Sequence, residues 1–125
     1  MDHTIRRLPD TELEVMQAIW ACTPPVTRAQ IEEILQKTHP MAPTTLLTLL
    51  TRLAEKDFIM IEKHGRSSFY TPCITRHDYL SAQSHRFVSK LCSGSISAFA
   101  AALCDSGLTR DELDELRALL DRRSP

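Results

Sequence analysis

Residues 43–72 read Pro-Thr-Thr-Leu-Leu-Thr-Leu-Leu-Thr-Arg-Leu-Ala-Glu-Lys-Asp-Phe-Ile-Met-Ile-Glu-Lys-His-Gly-Arg-Ser-Ser-Phe-Tyr-Thr-Pro, and the period of their apolar side chains changes partway along. Up to Lys56 the pattern is helical. Leu46, Leu49, Leu50 and Leu53 recur at spacings of three, four and seven and form one buried stripe. Pro43 suits a first helical position, because its missing N–H has no helical partner there in any case. From Phe58 the pattern belongs to strands. Phe58-Ile59-Met60-Ile61-Glu62-Lys63 is rich in β-formers, and His64-Gly65-Arg66-Ser67 is a turn in which Gly65 can take positive φ. Ser68-Phe69-Tyr70-Thr71 returns as a second strand, and Pro72 ends it.

Two more helices are predicted upstream. Leu13, Met16, Ile19 and Trp20 share a helical face after a start near Pro9-Asp10, and Thr23-Pro24-Pro25 stops that helix. Thr27-Arg28-Ala29-Gln30 is a capping box, with Gln30 placed to reach back to the Thr27 amide. Its helix turns Ile31, Ile34 and Leu35 inward and ends before His39-Pro40, and a very short strand near Pro25-Val26 completes the sheet. Three helices followed by a β-hairpin is the order of a winged helix-turn-helix. The fold class is therefore mainly α with a small β-hairpin wing.

Downstream of Pro72 the pattern is helical again. A cap at Thr75-Arg76-His77-Asp78 opens a helix carrying Leu80, Phe87, Val88 and Leu91, and Gly94 breaks it. Ile96, Phe99, Ala100 and Leu103 are the stripe of a short alanine-rich helix that stops at Gly107. Thr109-Arg110-Asp111-Glu112 is the clearest capping box in the chain, opening a last helix with Leu113, Leu116 and Leu120 as its stripe. Three short amphipathic helices make a poor independent core. Two copies clasping one another would give each stripe a partner, and folding back on the winged helix is the other solution. The expected organisation is a winged-helix DNA-binding domain over residues 1–74 and a helical dimerisation domain over residues 75–125.

The bulk properties leave function to the placement of charge. The 125 residues are 42% apolar, which is ordinary for a globular domain, and carry a net charge of −1. Residues 1–75 hold eight Lys/Arg against nine Asp/Glu, and residues 76–125 seven against seven. No apolar run is long enough for a membrane span, and Met1-Asp2-His3-Thr4-Ile5-Arg6-Arg7 precedes no signal-peptide core, so a cytoplasmic protein without direct membrane binding is expected. Cys22, Cys73, Cys92 and Cys104 form no Cys-x-Cys or Cys-x-x-Cys pair and are expected as buried small hydrophobes. No metal-ligand spacing, phosphate loop or nucleophile–base arrangement stands out, so no cofactor, metal or catalytic residue is expected. His39, His77 and His85 fall on scattered positions expected to face solvent or cap helices.

In a helix-turn-helix the second helix lies in the major groove. With the leucine stripe inward, Thr44, Thr45, Leu47, Thr48, Thr51 and Arg52 face out. An ordinary solvent face would be rich in Glu and Lys. Threonine hydroxyls can bond to phosphates or bases, and threonine methyls and Leu47 can touch a thymine methyl. Lys63, His64 and Arg66 at the wing tip suit the phosphate backbone, and Arg6, Arg7 and Arg28 are further candidates, the last with free helix-terminal amides beside it. For Arg52 a phosphate contact and an internal ion pair are both open.

These residues resemble a family. Thr45 followed by Leu-Leu-Thr-Leu-Leu-Thr-Arg-Leu (Leu46 to Leu53) is similar to the Thr-x-x-Thr-Leu-x-x-Arg-Leu recognition helix of the penicillinase repressor (BlaI/MecI/CopY) family. Glu12-Leu13-Glu14-Val15-Met16 with Ile19-Trp20, the Phe69-Tyr70 pair, the Gly94 break and the closing Glu112, Leu113, Glu115 and Leu116 fit the same pattern. The resemblance implies a cytoplasmic homodimeric repressor whose winged helix binds a palindromic operator in double-stranded DNA. Its C-terminal helices would dimerise, and in antibiotic-resistance members a membrane-bound sensor metalloprotease triggers cleavage of the repressor. Three positions depart from the pattern. Leu47 stands where the best-known members place a basic residue. Ala101-Ala102 stands at the place of their cleaved Asn-Phe bond. Cys104 is alone where the copper-responsive branch has Cys-x-Cys pairs. The rival readings are a winged-helix protein-interaction module without DNA binding and a thiol- or metal-responsive variant of the repressor.

Overall fold

The computed structural model describes residues 5–123. Residues 1–4, part of the stretch read for a leader, and residues 124–125 lie outside them. The elements follow in the order α1 (Asp10–Trp20), β1 (Val26–Thr27), α2 (Arg28–Thr38), α3 (Pro43–Glu55), β2 (Ile59–His64), β3 (Ser67–Pro72), α4 (Arg76–Arg86), α5 (Ile96–Asp105) and α6 (Arg110–Arg123), with a π-helical turn over Phe87–Leu91 after α4. This is a winged helix-turn-helix followed by further helices, mainly α with one small sheet. Two compact units divide inside α4, the first ending at Gln83 and the second beginning at Ser84.

The helix ends follow their local chemistry. At the start of α2, the Gln30 amide donates to Thr27 Oγ1 at 3.2 Å and the Thr27 amide donates to Gln30 Oε1 at 2.9 Å, closing the capping box. At α6 the Thr109 and Glu112 pair does the same at 2.9 and 3.1 Å. Pro43 opens α3. That helix ends in a Schellman arrangement: the Phe58 amide donates to the Leu53 carbonyl at 2.9 Å and the Asp57 amide to the Ala54 carbonyl at 3.1 Å. Asp57 takes the left-handed position with φ 64°, and Leu53 and Phe58 on either side of it are both buried.

The sheet order is β1-β3-β2, all antiparallel. Tyr70 stands opposite both Val26 and Ile61, and Phe69 opposite Thr27 and Glu62. Ile59 and Tyr70 turn into the core, and the strand period of two sends Met60, Glu62 and Phe69 to the other face. Only Gly65 and Arg66 separate β2 from β3, and Gly65 supplies a φ of 65° at the first turn position, where a type II′ hairpin places glycine.

The core of the first unit joins Val15, Met16 and Ile19 of α1, Ile31 and Leu35 of α2, and the α3 stripe Leu46, Leu49, Leu50 and Leu53 to Val26, Phe58, Ile59 and Tyr70. Leu13, Trp20 and Ile34, expected inward, are partly buried against this cluster. Glu12 is also buried, and its Oε1 accepts from Lys56 Nζ at 2.6 Å. That ion pair ties the first turn of α1 to the C-cap of α3.

The start of α4 is part of the first core, so the first compact unit runs past the expected boundary at residue 74 to Gln83. Tyr79 is buried, its hydroxyl accepts from the Leu8 amide at 2.9 Å, and its ring lies 5.6 Å from Trp20 and 5.9 Å from Phe58. Ala82 is buried too, and Gln83 Nε2 donates to the Ile5 carbonyl at 3.2 Å. One sequence expectation is corrected: none of the four cysteines is fully buried, although Cys22 packs against the core. Cys73 and Cys104 are exposed and Cys22 and Cys92 half-buried, all four as free thiols. Cys104 lies on α5, none of whose residues is buried, so apolar sequence neighbours there do not amount to a core. No single helix among the described residues is long and apolar enough to cross a membrane.

Candidate nucleic-acid interface

One side of α3 carries the leucine stripe into the core, and this leaves the rest of the helix at the surface. Thr44, Thr45, Leu47, Thr48, Thr51 and Arg52 are all exposed, with Leu47 at 41%. No side chain caps the N-terminus of α3, so its first amides face outward as unsatisfied donors. Among the described residues, Arg52 makes no salt bridge, so of its two roles the phosphate contact is the one left open.

The four threonines are not equivalent. Thr48 Oγ1 donates to the Thr44 carbonyl and Thr51 Oγ1 to the Leu47 carbonyl, each at 3.0 Å. A hydroxyl used in this way can still accept a hydrogen bond. Donating elsewhere means giving up the first bond, worth about 0.5–1.5 kcal/mol net. Thr44 and Thr45 have no such side-chain bond among the described residues and are the free donors of this face. The signal that separates the two pairs is position in the helix: Thr48 and Thr51 have a helical carbonyl four residues back, and Thr44 and Thr45, in the first turn, do not.

The wing continues from α3 through Phe58. Lys63, His64 and Arg66 are exposed at its tip, and among the described residues neither Lys63 nor Arg66 is salt-bridged. His64 Nε2 stands 3.6 Å from Glu62 Oε2, and its ring meets the edge of Phe69 at 5.4 Å. Glu62, missed in the sequence reading of the wing, therefore places a carboxylate beside its basic side chains. Arg28 is less available than its position suggested. Its Nε lies 3.0 Å from Glu32 Oε1 one turn along α2, and the helix end beside it is already closed by Thr27. Arg6 and Arg7 are exposed, as are His39, His77 and His85.

In the second unit, together with Leu80 near the start of α4, the residues expected at a dimer contact line up unevenly. Leu80, Phe87, Leu91, Ile96 and Leu120 are exposed, Leu91 and Ile96 at 75% and 67%. Val88, Phe99, Leu103, Leu113 and Leu116 are half-buried, and the Phe87 and Phe99 rings meet edge-on at 5.7 Å. Leu119 is a further exposed leucine on α6 that the stripe omitted. No residue of α5 or α6 is buried. Among the described residues, no three His, Cys, Asp or Glu side chains gather as a metal site would require.

Comparison with known proteins matches this geometry. A family profile described as "Penicillinase repressor" matches residues 8–122. The methicillin resistance regulatory protein MecI of Staphylococcus aureus (strain N315) is 30% identical over 124 residues, which is 98% of this chain and 100% of that protein. The transcriptional regulator BlaI of Mycobacterium tuberculosis (strain H37Rv) is 37% identical over 68 residues, 54% of this chain and 49% of its own length. Among solved structures, the Bacillus licheniformis BlaI monomer in complex with the blaP half-operator superposes with a TM-score of 0.50 at 37% identity, over 61% of this chain and 92% of that one. The DNA-binding domain of the repressor BlaI superposes with a TM-score of 0.52 over the same shares.

Proposed function

The chain belongs to the penicillinase repressor family, and from that premise we propose that it represses transcription as a homodimer seated on an inverted-repeat operator. The first unit binds DNA. The face of α3 from Thr44 to Arg52 enters the major groove, while Lys63, His64 and Arg66 on the wing lie along the phosphate backbone. The second unit dimerises through the apolar side chains of α5, α6 and the Phe87–Leu91 turn. The observation that carries the DNA reading is the exposed, uncapped α3 face of threonines, one leucine and one arginine running directly into a basic-tipped hairpin. The observation that supports dimerisation is the set of helices in which no residue is buried although each carries an apolar stripe.

The role is regulatory rather than enzymatic, and it places the protein in the cytoplasm with its DNA. A membrane-bound sensor protease, if it ends repression here, must act on a sequence unlike the one cut in the antibiotic-resistance members. Ala101 and Ala102 are exposed but lie inside α5, so a protease needs that helix to open locally before it can cut.

Fluorescence anisotropy with the promoter region of its own or a neighbouring gene tests the reading. With Arg52, Lys63 and Arg66 of two protomers on phosphates, affinity falls about a thousandfold for a fourfold rise in salt. No binding at low salt, or binding indifferent to salt, refutes it. A stable protein partner with no DNA shift would favour the interaction-module reading instead.

A further inference from the structure

Leu47 stands alone as an apolar side chain on a polar face, and the fold leaves it 41% exposed. One turn along, Thr51 returns its hydroxyl proton to Leu47's own carbonyl, and the adjacent Thr48 returns its proton to the Thr44 carbonyl. What these two threonines offer a partner is oxygen lone pairs and γ-methyls. The middle of the face is thus short of donors, between Thr44 and Thr45 at one end and Arg52 at the other. A guanine beneath Leu47 would have its N7 and O6 acceptors desolvated without a donor to meet them. In the major groove one base presents an apolar group, thymine with its 5-methyl.

We propose that Leu47 is a specificity-determining residue that reads a thymine in each operator half-site through the base's 5-methyl group, with the Thr51 γ-methyl beside it. This rests on the DNA-binding reading above and names the base that the centre of the face selects. The hydroxyls at the N-terminal end and Arg52 fix the helix in the groove, while the apolar middle discriminates by shape and desolvation.

The test uses the full-length protein to select duplexes from a randomised pool. The selected site is then remade with deoxyuridine in place of each thymine in turn, which deletes only the methyl group. One thymine per half-site is expected to lose about fourfold in affinity on replacement, the worth of one buried methyl. Leu47→Ala is expected to bind the thymine and uracil duplexes alike. Leu47→Met, which keeps an apolar side chain of similar reach, is expected to keep the distinction. Circular dichroism checks that both variants are folded. Tolerance of uracil at every position by the unaltered protein overturns the proposal, as does an undiminished uracil effect in Leu47→Ala. A protein that selects a site yet ignores the methyl leaves the repressor reading standing. A protein that binds no duplex removes both.

Discussion

Replacing Lys56 by methionine should cost more stability than neutralising its partner Glu12. The two charges stand 2.6 Å apart, with the Glu12 side chain 5% and the Lys56 side chain 23% exposed. At an effective dielectric of about 20, that separation gives a gross attraction of about 6 kcal/mol. Desolvation costs several kcal/mol for each ion, so the net value of the intact pair is small. Removing one partner is different, because it strands the other charge, and a stranded buried charge typically costs about 3–5 kcal/mol. In Lys56→Met the carboxylate of Glu12 keeps only the N-terminal dipole of α1, worth up to about 1 kcal/mol, so the expected loss is about 2–4 kcal/mol. In Glu12→Gln the ammonium of Lys56 still reaches water and sits at the C-cap of α3, so the expected loss is about 1–2 kcal/mol. The double variant Glu12→Leu with Lys56→Met should lie within about 1 kcal/mol of the starting protein. Urea unfolding of the three variants beside the starting protein measures all of this. A Lys56→Met loss equal to or smaller than that of Glu12→Gln would refute the reasoning.

Three further outcomes are expected. Thr45→Ala should weaken binding to a selected site by about 1 kcal/mol or more, and Thr48→Ala by less, because Thr48 must first release the Thr44 carbonyl; equal losses on selected and random DNA would remove both residues from base reading. Arg66→Ala should weaken binding to all sequences alike and lower the salt slope by about two in a dimer, measured by anisotropy across a salt series. Asp57→Gly should raise stability by about 0.5–1 kcal/mol in thermal unfolding, since glycine occupies the left-handed C-terminal position without the Cβ penalty; an unchanged midpoint would mean that the Asp57 side chain offsets its own strain.

Most of the first unit was legible in the sequence because its signals are local. Pro43, the Thr27–Gln30 box and Gly65 each set an element boundary through contacts within three residues of themselves. The leucine stripe of α3 told its inner face from its outer one, so the exposed threonines, Leu47 and Arg52 followed at once. What stayed hidden depends on distant partners. The burial of Glu12 is stabilised by Lys56, 44 positions along the chain. Tyr79 and Ala82 share α4 with Leu80, and the helix turns the first two into the core and the third outward. A single stripe drawn through Leu80 therefore missed the inward face of this helix. The thiols misled because apolar neighbours in sequence do not by themselves make a buried site: Cys73 follows a core strand and Cys104 sits in an apolar helix, yet both are exposed.

Footprinting of the full-length protein on an operator fragment tests the central claim most directly. Two copies that each present the Thr44–Arg52 face to a groove should protect two half-sites related by a dyad, about one helical turn or a whole multiple of it apart. A single unpaired protection, or none at low salt, would contradict the account.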